Sequence, residues 1–159
     1  MSHAYEIRIR KGVYAAIDAA RINYETNTAT VKQTYFPRED LDTMGTIPHI
    51  KVIAIGHSTE RNRELRERTI IKLTLPVQIA VQQKLDLDDT DGIDKLIRLA
   101  EQIRETIEDD ELVANEDFTW SRTEALQDEE GNTFSYQSLI QKGVVMVIFT
   151  AHYIYIKQP

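Results

Sequence analysis

The stretch from Thr69 to Gln83 constrains this chain more than any other, because its large apolar residues recur at every second position. These apolar positions are Ile71, Leu73, Leu75, Val77, Ile79 and Val81, and the polar residues between them are Lys72, Thr74, Gln78 and Gln82. A period of two places the apolar set on one face of an extended strand. The pattern is typical of a long antiparallel strand that is covered on one side. Pro76 interrupts the polar face and predicts a bulge or a free edge there.

Two amphipathic segments predict helices, one over Lys11–Ile22 and the other over Gly92–Glu108. The second has an apolar stripe with helical spacing, which predicts packing against the core. Its members are Ile93, Leu96, Ile97, Ala100, Ile103 and Ile107. Asp91 is the candidate N-cap of this helix, with Asp94 three residues further on in the favoured first turn.

The remaining apolar runs predict further strands, which are Ala29–Phe36, Ile50–Ile55, an edge strand over Phe118–Leu126 and a last strand over Gly143–Lys157. The first half of the last strand is apolar on both faces. That suits a central strand with helices on one side and other protein on the other. We therefore expect one α+β domain over residues 1–159, with a mainly antiparallel sheet and two flanking helices in one layer on one face.

A charged segment, residues 57–68, joins two predicted strands and is called the arm below. Between Ser58 and Arg68 it holds four arginines, three glutamates and one large apolar residue, Leu65. It cannot bury much of itself, so it predicts a projecting hairpin tip. Two interpretations stay open. One is a solvated turn with internal salt bridges, and the other is an arm that binds a partner, since arginine is favoured where charged groups are gripped at an interface.

Composition excludes several classes of protein. The 159 residues suit one domain with a sizeable core, and the absence of cysteine excludes disulfides, thiolate metal sites and cysteine nucleophiles. The N-terminus has no apolar signal core, and no apolar run approaches the roughly 20 residues that span a bilayer, so no membrane is expected. The net charge of −7 argues against broad wrapping of nucleic acid but not against a local basic patch.

The chain shows no motif for catalysis or for binding a cofactor. Its four histidines are not in a metal-ligand spacing, although His49 and His57 flank one predicted strand and could reach a metal together with carboxylates. His152, inside a predicted strand, is expected to be partly buried and hydrogen-bonded. Glycine-rich phosphate loops and nucleophile elbows are absent from the sequence. We expect no enzymatic activity, no cofactor and no metal.

The order of the segments resembles the tail terminator (tail completion) proteins of long-tailed bacteriophages. The matching stretch is roughly Lys11–Asp109. It contains a first helix, the strand motif Ile47-Pro48-His49-Ile50-Lys51-Val52, a charged arm with Asn62-Arg63, the long alternating strand and a helix that begins at Asp91-Gly92-Ile93. The C-terminal strands agree in type.

The resemblance implies a structural protein whose sheet is flanked by helices. Proteins of this family assemble as a ring, commonly a hexamer, on the head-proximal end of the tail tube. The ring ends tube growth and binds head-closure proteins, and DNA passes through its lumen. The expected partners are therefore further copies of the chain, the tail tube protein and a head-closure or connector protein. The expected location is the virion tail and neck, assembled in the host cytoplasm.

Two residue sets are candidates for these contacts. Charge pairing with a neighbouring subunit is the hypothesis for Arg61, Arg63, Arg66 and Arg68. Lining of a lumen that repels DNA is the hypothesis for the acidic runs Glu108, Asp109, Asp110, Glu111 and Asp128, Glu129, Glu130. One alternative function is another head–tail connector. A second is a small nucleic-acid-binding module that uses the arm, although the arm has interleaved glutamates and no aromatic residues to stack on bases.

Overall fold

The computed structural model describes residues 5–24, 27–34, 48–54, 58–62, 70–86, 88–109, 118–125 and 144–157. In chain order these residues form α1 (Tyr5–Ala20), β1 (Asn23–Tyr24), β2 (Asn27–Thr28), β3 (Thr30–Thr34), β4 (His49–Ala54), β5 (Ser58–Asn62), β6 (Ile70–Lys84), α2 (Thr90–Asp109), β7 (Phe118–Ala125) and β8 (Val144–Lys157). Neither helix is both long enough and apolar enough to cross a membrane.

Six of the strands build one mixed sheet in the order β3-β4-β6-β8-β7, and β5 pairs with β6 beyond the end of β4. Every pair in it is antiparallel except β3–β4, which is parallel. β1 and β2 form a separate short antiparallel pair. The α+β prediction of a mainly antiparallel sheet is confirmed, with β8 central and β7 at an edge as expected.

Both helices pack on one face of the sheet. Residues of α1 (Val13) and α2 (Leu96, Ile103) share one apolar cluster with Leu75 and Val77 of β6. The odd-numbered residues of β6 from Leu73 to Val81 are buried, which confirms the predicted alternation. β8 pairs with β6 over fourteen residues, from Ile71 to Lys84. The burial of this alternating set is the main source of stability of the sheet.

Within the described part of the chain, no helix lies on the opposite face of the sheet, which is called the helix-free face below. Along β6 it changes character. Thr74 and Gln78 are half-buried, but Ala80 and Gln82 are fully buried. The prediction that Gln82 lies on a solvated polar face is therefore wrong. At that end β6 is buried on both faces, and Ile53 of the neighbouring β4 is also buried, although neither Ile53 nor Ala80 belongs to the core cluster between sheet and helices.

Pro76 lies where the edge of β6 changes partner. On one side β6 pairs with β4 from Gln82 to Val77 and with β5 from Thr74 to Ile70, so no described residue pairs with Pro76 on that side. On the other side its pairing with β8 continues without a register shift. Proline has no N–H to donate to a neighbouring strand. Residues 55–57, which join β4 to β5, lie outside the described residues, so the bulge or free edge expected here stays a prediction.

The first helix is longer than predicted. α1 begins at Tyr5, six residues before the predicted start, and ends at Ala20, two residues before the predicted end. The next residue, Arg21, has φ 45, a left-handed conformation that ends the helix. Contacts distant in sequence hold the additional turns. Arg10 is buried, and its Nε donates to the Gln33 Oε1 of β3 at 3.2 Å.

The second helix differs from the prediction in its cap and in its buried face. Asp89 is the N-cap instead of Asp91, because the Gly92 N–H donates to the Asp89 Oδ1 at 2.9 Å. Ile97, predicted to face the core, is 36% exposed, whereas Leu99 is buried. At 3.6 residues per turn Ile97 lies about 100° around the helix from Leu96, outside the arc that contacts the sheet and α1.

Candidate assembly interface

The structure describes only part of the predicted arm. Ser58–Asn62 form β5, a strand that pairs with the start of β6. The backbone of Arg61 pairs with Ile71. Arg63, Arg66 and Arg68 lie outside the described residues. The projecting arm and the binding of a partner by its arginines both stay predictions.

Of the predicted lumen residues, Glu108 is the one whose side chain the structure describes. Its Oε1 accepts a hydrogen bond from the Arg104 Nε at 2.9 Å, one turn earlier in α2, and this bond raises the pKa of the Arg104 guanidinium. Asp109 is the last residue of α2. The others, Asp110, Glu111, Asp128, Glu129 and Glu130, lie outside the described residues. Because Glu108 is paired with a cation on its own helix, it contributes less free negative charge than the sequence suggests.

The acidic surface that the structure does show lies earlier on α2. Asp94, Ile97, Glu101 and Glu105 are spaced by three, four and four residues, which places them on one side of the helix. All four side chains are exposed, and so is Arg98 on the same side of the helix, so three carboxylates stand against one cation. The set of four is called the acidic stripe below. Its one apolar member is Ile97, which with Ile7 is one of two large apolar side chains exposed among the described residues.

The helix-free face has an apolar component along β8. Ile148, Thr150, His152 and Ile154 point to this face, since they pair with the even-numbered residues of β6. All four are half-buried. A central strand with isoleucines on a face where the described residues place no helix fits the sequence-based expectation of other protein on that side.

A charged group lies beside this strip on β7. A register shift between Trp120 and Arg122 places Arg122 opposite His152. Arg122 Nη2 lies 3.3 Å from Glu124 Oε1, and His152 Nε2 lies 3.4 Å from Glu124 Oε2. The prediction that His152 is partly buried and hydrogen-bonded is confirmed. These are partly exposed contacts, so they orient the side chains more than they stabilise the fold.

The far end of the same face contains polar side chains that are buried. His49 and Lys51 of β4 and Gln82 of β6 are at most 6% exposed. His49 was a candidate metal ligand with His57, which lies outside the described residues. Within the described part of the chain, no group of three or more histidine, aspartate or glutamate side chains is placed to hold a metal ion.

One cluster escaped sequence analysis. The Arg8 guanidinium lies 5.8 Å from the ring centroid of Tyr5 and 5.3 Å from that of Phe118. The Tyr155 ring lies 4.8 Å from Tyr5 and 5.5 Å from Phe118. Through cation–π and aromatic ring contacts, the cluster packs the start of α1 against β7 and β8. No local pattern could have revealed it, because the four residues come from three distant segments.

Comparison with known proteins gives a structural likeness but no sequence match. No protein-family model matches the chain, and no curated protein sequence matches it. The structure is similar to the sheath/tube terminator of the extracellular contractile injection system PVC in its extended state, with 14% sequence identity and a TM-score of 0.48. The match covers 96% of this chain and 57% of the other, so the chain spans little more than half of that protein. A likeness at this level assigns neither fold nor role.

Proposed function

We propose that this chain is a structural tail protein of a long-tailed bacteriophage, a terminator that forms a ring on the head-proximal end of the tail tube. The ring, a homohexamer, ends tube growth and joins the tail to a head-closure protein. The chain acts by assembly and not by catalysis, and it uses no cofactor. It is assembled in the host cytoplasm and remains in the virion.

The observation that carries this proposal is the one-sided architecture. Both helices cover one face of the sheet, while the other face has half-buried isoleucines, Ile148 and Ile154, along its central strand. A subunit that works alone gains nothing from such a face, whereas a ring subunit can bury it against a neighbour. The PVC chain is itself named a sheath/tube terminator.

The order of the segments supports the same role. The strand motif of the resemblance ends in β4, the long alternating strand is β6, and the Asp91-Gly92-Ile93 motif lies in the first turn of α2. The acidic surplus suits a passage for DNA, because carboxylates repel phosphates and a transported genome must not adhere to the wall.

Electron microscopy of particles made without this gene tests the proposal. We expect tails of uncontrolled length that are detached from filled heads, because nothing caps the tube. Tails of normal length that fail to join heads would instead identify a head-closure protein of the neck. Intact, infectious particles would refute a structural role of either kind.

A further inference from the structure

The described surface segregates charge between its two sides. Residues 86–109, which comprise the entry to α2 and the helix itself, hold nine acidic and three basic side chains. That surplus of six accounts for nearly all of the net charge of −7. The acidic stripe lies on the outer side of this helix, away from the sheet.

The helix-free face has the opposite sign. Its charged side chains that are exposed or half-buried in the described residues are Lys32, Lys72, Lys84, Arg122 and Glu124. Among these described side chains, four cations against one carboxylate leave a basic surplus on this face. Opposite charge on two sides of one molecule favours head-to-tail contact between copies.

Both surfaces also have an apolar centre. Ile97 is exposed within the acidic stripe, between Asp94 and Glu101. Ile154 lies half-buried on the helix-free face, in the part where β6 is open to solvent at Thr74 and Gln78. An apolar centre with a charged rim is the composition of a protein–protein contact surface. Of the described elements, neither α1 nor α2 lies on this part of the face.

We infer that the acidic stripe of one copy packs on the helix-free face of the next, with Lys72 and Arg122 beside Glu101 and Glu105. This contact is heterologous, because it joins two different surfaces of the chain. It closes into a ring when a whole number of the rotations from one copy to the next makes a full turn. The inference rests on the proposed function, since it assigns the surfaces by which the copies of the ring meet.

Charge reversal tests the pairing in the full-length protein. One variant carries Glu101→Lys and Glu105→Lys, and the other carries Lys72→Glu and Arg122→Glu. The control carries Asp86→Lys and Asp88→Lys, the same change of charge on exposed residues before α2. Oligomeric state is measured by light scattering after size exclusion at low and high salt, and circular dichroism checks that each variant is folded.

We expect each interface variant to associate about 100-fold more weakly than the wild type, since like charges face each other. Association of the control should change little. Mixing the two variants should restore assembly, because each basic helix then meets an acidic sheet face and each acidic helix meets a basic one. Rescue on mixing is a result that simple unfolding of either variant cannot produce.

Three results would overturn the inference: a wild type that stays monomeric at low salt, interface variants that assemble as well as the control, or a mixture that fails to assemble. None of these depends on tail length in particles without the gene. If such particles have overlong tails but the charge variants still assemble, the terminator function holds and the assignment of surfaces fails. If the tails are normal but the mixture rescues assembly, the contact holds and the terminator function fails.

Discussion

Replacement of Gly92 by alanine should destabilise the protein even though alanine is the better helix former. A β-carbon at this position would lie 2.5 Å from Asp89 Oδ2, 2.8 Å from Asp89 Cγ and 2.9 Å from Leu85 Cδ2. These distances are shorter than carbon atoms tolerate. Asp89 must therefore rotate away, and its hydrogen bond with the Gly92 N–H is lost.

The expected magnitude follows from three contributions. Alanine gains at most about 1 kcal/mol over glycine in a helix. Loss of the N-cap costs about 1 kcal/mol, and displacement of Leu85, which packs against the core, costs about 1–2 kcal/mol. The net loss is about 1–2 kcal/mol, which lowers the midpoint of thermal unfolding by about 2–8 °C in a domain of this size.

Urea unfolding followed by circular dichroism measures this loss, and Asp89→Ala is the matched partner. Asp89→Ala alone should cost about 1 kcal/mol through the lost cap. In its background Gly92→Ala should cost much less than in the wild type, because the carboxylate is gone. If the two effects add within about 0.5 kcal/mol, or if Gly92→Ala stabilises the protein, then Gly92 is not needed to accommodate Asp89.

Three further substitutions test other features of the fold. The hydroxyl of Tyr153 is buried without a hydrogen-bond partner among the described residues, and burial raises its pKa. The free energy of unfolding of the wild type should therefore fall by about 1.4 kcal/mol per pH unit as the pH rises above the ordinary tyrosine pKa of 10.0, and Tyr153→Phe should abolish this contribution in urea unfolding at alkaline pH. Arg21→Gly should stabilise by about 0.5–1 kcal/mol in thermal unfolding because the left-handed φ strains arginine, whereas Arg21→Ala should not. Leu75→Ala should cost about 2–5 kcal/mol in urea unfolding and Thr74→Ala far less, because only Leu75 faces the core; equal losses would contradict the one-sided burial of β6.

Strands with a strong local pattern could be predicted from the sequence. β6 alternates between apolar and polar residues over its length, so its length could be predicted from the pattern. β8 is apolar on both faces at its start, which predicted its place inside the sheet. α2 followed from its spacing, but Ile97 and Leu99 were exchanged. The sequence of α2 is compatible with two buried faces that differ by a small rotation of the helix. The contacts of α2 with both the sheet and α1 determine which of these faces is buried.

The start of α1 could not be predicted. Tyr5–Arg10 alternates apolar and charged residues, a period of two that favours a strand. Contacts with β3, β7 and β8 hold these turns in the helix, through Arg10 with Gln33 and Arg8 with Phe118. Tertiary contacts overrode the local pattern, as they often do for short segments. The parallel pairing of β3 with β4 could likewise not be predicted, because the composition of a strand does not indicate which strand it pairs with.

The two ends of the helix-free face differ in how deeply their side chains are buried, and this difference could not be predicted from the sequence. Lys51 and Gln82 are polar and would be assigned to solvent by pattern alone, yet they are as buried as Ile53 beside them. Toward Thr74 the same face is half-buried. The end near Thr74, where the half-buried Ile154 lies, therefore offers apolar surface that a partner can bury. Burial of polar groups at the other end is already part of the folded subunit and is costly to disrupt. Substitutions near Lys51 and Gln82 should thus lower the stability of the subunit, and substitutions near Ile154 should weaken assembly.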